Sequence, residues 1–246
     1  MQLKNLRNGS YIIVFLWIAF TISALVLLNS CSDDNGSGDE SSQPADTKSF
    51  TFFELGKAAR LTNGVRSDLR DKLGRDAIER RSILNLEINQ RGFLKTYFPD
   101  LAELNEQLNY PPGERVEHNT VKLMYRYARK KSVPFELVEL LFSDYTSNPL
   151  LFKINFKVDE ANNIETLQEK YGRPEIINWD DENGQSKYWK KSSDLLIVSR
   201  IPDRFGNIEH QIVIYFVDNL KRLIETERKE KEEKEQQRAR TGKKAF

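Results

Sequence analysis

The polarity of the chain changes abruptly along its length, and those changes predict its elements. Residues 11–28 are almost wholly apolar, interrupted by Thr21 and Ser23, whereas 32–49 contain no large apolar side chain. From Phe50 the pattern turns amphipathic. Leu61, Val65, Leu69 and Leu73 recur every fourth residue with charges between them, which is helical spacing. Asn63-Gly64 and Gly74 are points where that helix can break. Leu84, Leu86 and Ile88 alternate as in a short strand. Leu94, Tyr97, Phe98, Leu101, Leu104 and Leu108 then return to helical spacing. Pro99 suits a first helical turn, so a break is expected near Phe98. Pro111-Pro112-Gly113 closes this stretch.

Beyond it the period shortens. Residues 121–127 alternate as a strand with one buried face. Phe135–Phe142 and Leu150–Val158 read as two more strands around a turn at 144–149. Ile164, Leu167 and Tyr171 mark an amphipathic helix stopped by Gly172 and Pro174, glycine supplying a left-handed cap. Strands are expected at 175–180, 186–191, 194–201 and 209–217, with Asn183-Gly184 as a hairpin turn. After Ile224 apolar residues nearly vanish. Glu225/Lys229, Glu227/Lys231 and Glu230/Lys234 have the i,i+4 orientation that supports a solvated helix.

The expected class is α+β: a helical N-terminal half, then a mainly antiparallel sheet with one packed helix, then a charged C-terminal helix. The corresponding regions are 1–30, a leader; 31–49, an acidic linker; 50–112, helical; 113–220, sheet; and 221–246, the charged tail. The short β–β–α–β–β plan of the sheet region resembles BamE-type periplasmic lipoprotein domains. It lacks their Gly-Met-Thr start, and no function is transferred from them.

The leader carries the most specific signal. Lys4 and Arg7 precede the apolar run, and Leu28-Asn29-Ser30-Cys31 ends it. A positive start, an apolar stretch and a small residue before the cut mark an export signal. The tetrapeptide resembles a bacterial prolipoprotein lipobox, with Leu28 three residues before Cys31 and small Ser30 directly before it. That resemblance implies diacylglyceryl transfer to the Cys31 thiol, cleavage of the leader and anchoring to a membrane. Asp33 and Asp34 resemble the acidic stretch after the cysteine in some surface-exposed lipoproteins, and the absence of Asp at position 32 favours the outer membrane over the inner. An uncleaved transmembrane helix is the alternative, since the run is close to the minimum that spans a bilayer. As a flexible coil, 32–49 has a mean end-to-end distance of roughly 20–25 Å.

Composition removes several functions. Lys plus Arg is 38 and Asp plus Glu is 37, without the basic excess of a nucleic-acid binder. Cys31 is the one cysteine, and His118 and His210 are the two histidines, so neither an internal disulfide nor a Cys/His zinc site is expected. No phosphate-cradling glycine motif and no G-x-S-x-G elbow occurs, and no cofactor is expected. Asp180-Asp181-Glu182-Asn183-Gly184 superficially suggests calcium. Aligning its glycine to the EF-hand loop puts Trp179 at the first ligand position, so a hairpin tip accounts for it better. His118 and His210 each follow a glutamate without an identifiable nucleophile. Paired carboxylates could hydrolyse cell-wall sugars, although no pair stands out.

Arg66, Arg70, Arg75, Arg80 and Arg81 make one stretch locally basic, able to meet an anionic partner or simply to form a solvated helix face. Trp179, Tyr188 and Trp189 are the aromatic candidates for a sugar or protein contact, with core packing as the commoner use of such rings. The resulting expectation is a lipid-anchored envelope protein binding another envelope protein or a cell-wall polymer. A carboxylate-dependent hydrolase and a transmembrane-anchored assembly factor are the alternatives.

Overall fold

The computed structural model of the chain describes residues 49–126, 135–156, 162–179, 184–202 and 208–244. The leader, Cys31 and nearly all of the linker lie outside these residues, as does the Asp180–Asn183 hairpin tip.

Eight strands form one antiparallel sheet in the order β1-β2-β3-β4-β8-β7-β6-β5. They are β1 (Ala77–Ser82), β2 (His118–Arg126), β3 (Phe135–Ser143), β4 (Pro149–Phe156), β5 (Glu175–Trp179), β6 (Gly184–Lys191), β7 (Asp194–Pro202) and β8 (Ile208–Tyr215). The helices are α1 (Asn63–Leu73), α2 (Phe93–Tyr97), α3 (Pro99–Leu108), α4 (Asn162–Tyr171) and α5 (Val217–Lys244). Two four-stranded meanders, β1–β4 and β5–β8, meet where β4 pairs with β8, and each is preceded by a helix, α1 or α4.

Both faces of the sheet are covered. On one, Leu69 and Leu73 of α1 and Ile164, Leu167 and Tyr171 of α4 pack with Phe50 over Leu123, Tyr125, Phe152 and Ile214. On the other, α2, α3 and the start of α5 bury Phe93, Leu101, Leu104, Leu220 and Leu223 over Leu151, Ile197, Val213 and Tyr215. This two-sided burial explains why Leu195-Leu196-Ile197-Val198 is apolar without interruption, neighbours pointing to opposite cores.

The mixed class is as expected; the helical N-terminal half is not. α1 stops at Gly74, which takes φ 82°, and the chain then enters β1 as the sheet's edge strand. Ala77–Ser82 is exposed along most of its length and so shows little apolar period to announce a strand. Regions 50–112 and 113–220 are parts of one compact unit, Gln43–Phe246.

The alternating Leu84, Leu86 and Ile88 are buried but join no sheet ladder. Residues 83–89 instead form a strap across the sheet, held by side chains. Asn109 Nδ2 donates to the Leu84 carbonyl (2.9 Å), and the Leu86 N–H donates to Asn105 Oδ1 (2.8 Å). Tyr215 Oη donates to the Leu86 carbonyl (2.7 Å), and Lys153 Nζ to that of Asn85 (3.1 Å). The strap's backbone thus finds the partners that a buried chain requires. The expected break between α2 and α3 falls at Phe98, with Pro99 opening α3. α4 ends before Gly172 at φ 83°. Gly184 opens β6 where a Cβ would collide with the Trp179 carbonyl and indole.

Candidate anion-binding site

Local sequence positions the site. Thr62 caps α1, its Oγ1 accepting from the Val65 N–H at 3.2 Å, and Gly74 ends the helix after eleven residues. Burial of Leu69 and Leu73 fixes how α1 rotates on the sheet. Arg66 and Arg70, one turn apart, therefore flank that buried stripe. The reversal at Gly74 brings Arg75 and Asp76 back beneath them. Arg66, Arg70, Arg75, Asp76 and Ile78 line an open recess of about 470 Å³, within the usual size of small-molecule sites.

Asp76 organises the recess. Its side chain is 2% exposed and receives a fork from Arg66, with Nε to Oδ2 at 2.7 Å and Nη2 to Oδ1 at 3.2 Å. That hydrogen bonding holds the Asp76 carboxyl below its ordinary value against the opposing effect of burial. Arg66 is correspondingly raised, chiefly by the same contact. Tyr125, buried nearby, is pushed up to about 12, first by burial and then by the charge on Asp76, so its phenol stays neutral. Arg70 reaches Asp76 only at 3.9 Å and is 55% exposed. Arg75 is exposed and has no ion-pair partner among the described residues. Three guanidiniums thus face one carboxylate, leaving two positive charges in the recess.

A second charged cluster is closed. Lys57 Nζ lies 3.6 Å from Asp194 Oδ1 and bonds Asp218 and Ser193. Asp194 Oδ1 also accepts from the Val217 N–H at 3.1 Å and so caps α5 from the start of β7. Burial raises Asp194, and contact with Lys57 lowers Asp218. Divergent carboxyls of this kind can serve as an acid–base pair. Here, however, Asp194 is 2% exposed and its oxygen is occupied as a helix cap. The arrangement is a structural latch joining three segments.

The aromatic candidates lie inward. Trp179 and Trp189 are each 5% exposed, and their indole N–H groups donate to Ser186 Oγ (2.8 Å) and the Gly172 carbonyl (2.7 Å). Tyr188, on the face opposite Trp189, meets Phe98 edge-on at 5.1 Å and donates to Glu175. Their rings serve the core, and the structure does not bring them together as one surface.

Of the two histidines, His118 is 4% exposed, with Nε2 2.8 Å from the Leu108 carbonyl and Nδ1 2.7 Å from Glu227 Oε2. The ring thus bridges the end of α3 and a side chain of α5. Glu227 also accepts from the Asn119 N–H (2.7 Å) and ties α5 to β2, in place of the pairing expected with Lys231. His210 is lowered by burial and by Arg200 and Lys187, and its ring meets that of Phe156 at a tilt of 38°. Beyond this anchorage α5 projects from the core, residues 231–241 all being exposed.

Sequence reasoning found the arginines but missed Asp76 and Ile78. The i,i+4 spacing of Arg66 and Arg70 before a helix-ending glycine was the available signal. Among the described residues, no group of three or more His, Cys, Asp or Glu could hold a metal, and no helix is long and apolar enough to cross a membrane. No protein-family model matches this chain, and neither a curated protein nor a solved structure matches it significantly.

Proposed function

We propose that this chain is an exported, lipid-anchored envelope protein whose folded unit is a non-catalytic binding module, held at the outer membrane through acylated Cys31 and partnered by an envelope protein or cell-wall polymer. The observation that carries this reading is the position of the sole cysteine. It ends the long apolar run, preceded by Leu28 and Ser30 as in a lipobox. Two or three acyl chains there would hold the protein durably, at about 0.8 kcal/mol per buried methylene. The recess with spare positive charge supports binding rather than catalysis, because its polar members are three guanidiniums and a carboxylate already occupied by Arg66.

Metabolic labelling with palmitate tests the anchor. The wild-type chain should take up label and stay with membranes through a high-salt wash, and Cys31→Ala should lose the label. Label retained by Cys31→Ala would exclude the site. An unlabelled wild type with an intact leader would favour the transmembrane alternative.

A further inference from the structure

We infer that the recess between α1 and β1 binds a phosphomonoester, with the phosphate held by Arg70 and Arg75 and the organic body lying against Ile78. The inference deepens the binding-module reading but does not depend on acylation of Cys31.

Charge supplies the first part of the case. Arg66 is committed to Asp76 through two hydrogen bonds, so its guanidinium is fixed and neutralised. Arg70 and Arg75 line the same recess without such a commitment. Asp68 and Asp71 do not cancel them. Both are exposed and, among the described residues, neither forms an ion pair with Arg70 or Arg75; residues one or two apart on a helix do not face each other, and Arg75 lies beyond the helix end at Leu73. Two uncompensated positive charges suit a dianion better than a single carboxylate.

Geometry supplies the second part. A guanidinium presents a planar fork that matches the oxygens of phosphate, a match that lysine lacks. Asp76 is nearly buried and paired with Arg66, so the exposed cations that line the recess are Arg70 and Arg75. The recess is far larger than a phosphate group, and its remaining wall includes Ile78, an apolar side chain 44% exposed. Such a wall suits the sugar or alkyl part of an ester rather than a bare ion.

The phosphomonoester could belong to a soluble sugar phosphate or to a lipid headgroup, and the test separates them. The full chain in non-ionic detergent is titrated with glucose 1-phosphate, with glucose, and with micelles doped with phosphatidic acid or phosphatidylglycerol. Binding is followed by calorimetry and by protection of Arg70 and Arg75 from phenylglyoxal. Saturable binding of glucose 1-phosphate but not glucose identifies a soluble ester. Protection by phosphatidic acid alone identifies a lipid headgroup. In either case Arg70→Gln/Arg75→Gln should weaken binding at least about tenfold. These exposed side chains can change without disturbing the core, and an unchanged thermal midpoint verifies that.

The proposal is overturned if neither phosphate probe binds, if the double variant binds as well as wild type, or if phosphatidylglycerol protects as fully as phosphatidic acid. Because detergent removes any need for the anchor, failure here leaves the palmitate result untouched, and an unlabelled Cys31 leaves this binding untouched.

Discussion

Asp76 and Asp194 are nearly alike in confinement: each exposes 2% of its side chain and each has a cation at hand. Their charges are nevertheless held in opposite directions. The Arg66 fork pulls Asp76 below its ordinary value, whereas burial pushes Asp194 above it, with Lys57 opposing and Asp218 adding to the rise. The difference lies in the count of partners. At Asp76 one carboxylate meets an excess of guanidiniums, so its charge is stabilised and positive charge is left over. At Asp194 a single amine is shared between two carboxylates, and no positive charge is left over. The first arrangement is open and can accept a ligand; the second is closed and holds the fold.

Substitutions should expose this contrast, and the largest effect is expected at the latch. Asp194→Ala removes the cap of α5 and leaves the buried Val217 N–H without its acceptor, while Lys57 keeps Asp218, and should cost about 2–3 kcal/mol in chemical denaturation of the full chain in detergent. Asp76→Asn keeps the shape but removes the charge that Arg66 stabilises, and should cost roughly 1–2 kcal/mol, reduced by the partial exposure of Arg66. Asp194→Asn should change stability by less than about 0.5 kcal/mol, because the amide oxygen still caps Val217 and an unfavourably buried charge is gone. Equal losses for the two Asn variants would break the distinction.

Acidity should separate the two sites in the same way. The Asp76 contribution is fully present above the ordinary carboxyl value of 3.8 and is lost as pH falls through its lowered folded value. Asp194 has the opposite sign. Its folded value is raised, so wild type should gain stability relative to Asp194→Asn as pH falls from neutrality toward 3.8. Urea midpoints measured between pH 7 and 3 would register both slopes. The smallest effect belongs to the projecting helix. Ending the chain before Lys231 should leave the midpoint unchanged, since residues 231–241 touch no core.

How much of this was legible depended on whether the partners lay close in sequence. The Phe98–Pro99 break and the Gly172–Pro174 stop are local events, and their residues announce them. Strands after Pro112 such as β2, β4 and β6 were readable because their buried positions repeat, and β5, exposed along most of its length, because Gly172-Pro174 and Asn183-Gly184 frame it. β1 was not, because an edge strand exposed along most of its length carries little hydrophobic period. The strap at 83–89 has the alternation of a strand, but its hydrogen-bond partners are Asn105, Asn109, Lys153 and Tyr215, which no local pattern reveals. The site divides in the same way. Arg66 and Arg70 show a helical spacing, while the role of Asp76 depends on a turn that folds it back ten residues to Arg66. Trp179, Tyr188 and Trp189 stood out by size, yet helices cover both faces of the sheet that carries them.

The central claim, that one of these two clusters keeps positive charge available while the other has none to spare, can be read from arginine side-chain resonances. In a titration of the full chain with glucose 1-phosphate, the Nε–H signals of Arg70 and Arg75 should shift and saturate together. Those of Arg115 and Arg228, exposed elsewhere, should stay in place, as should the Val217 amide at the latch. Uniform small shifts across all the arginines, or movement at Val217 with none at Arg70 and Arg75, would contradict the account.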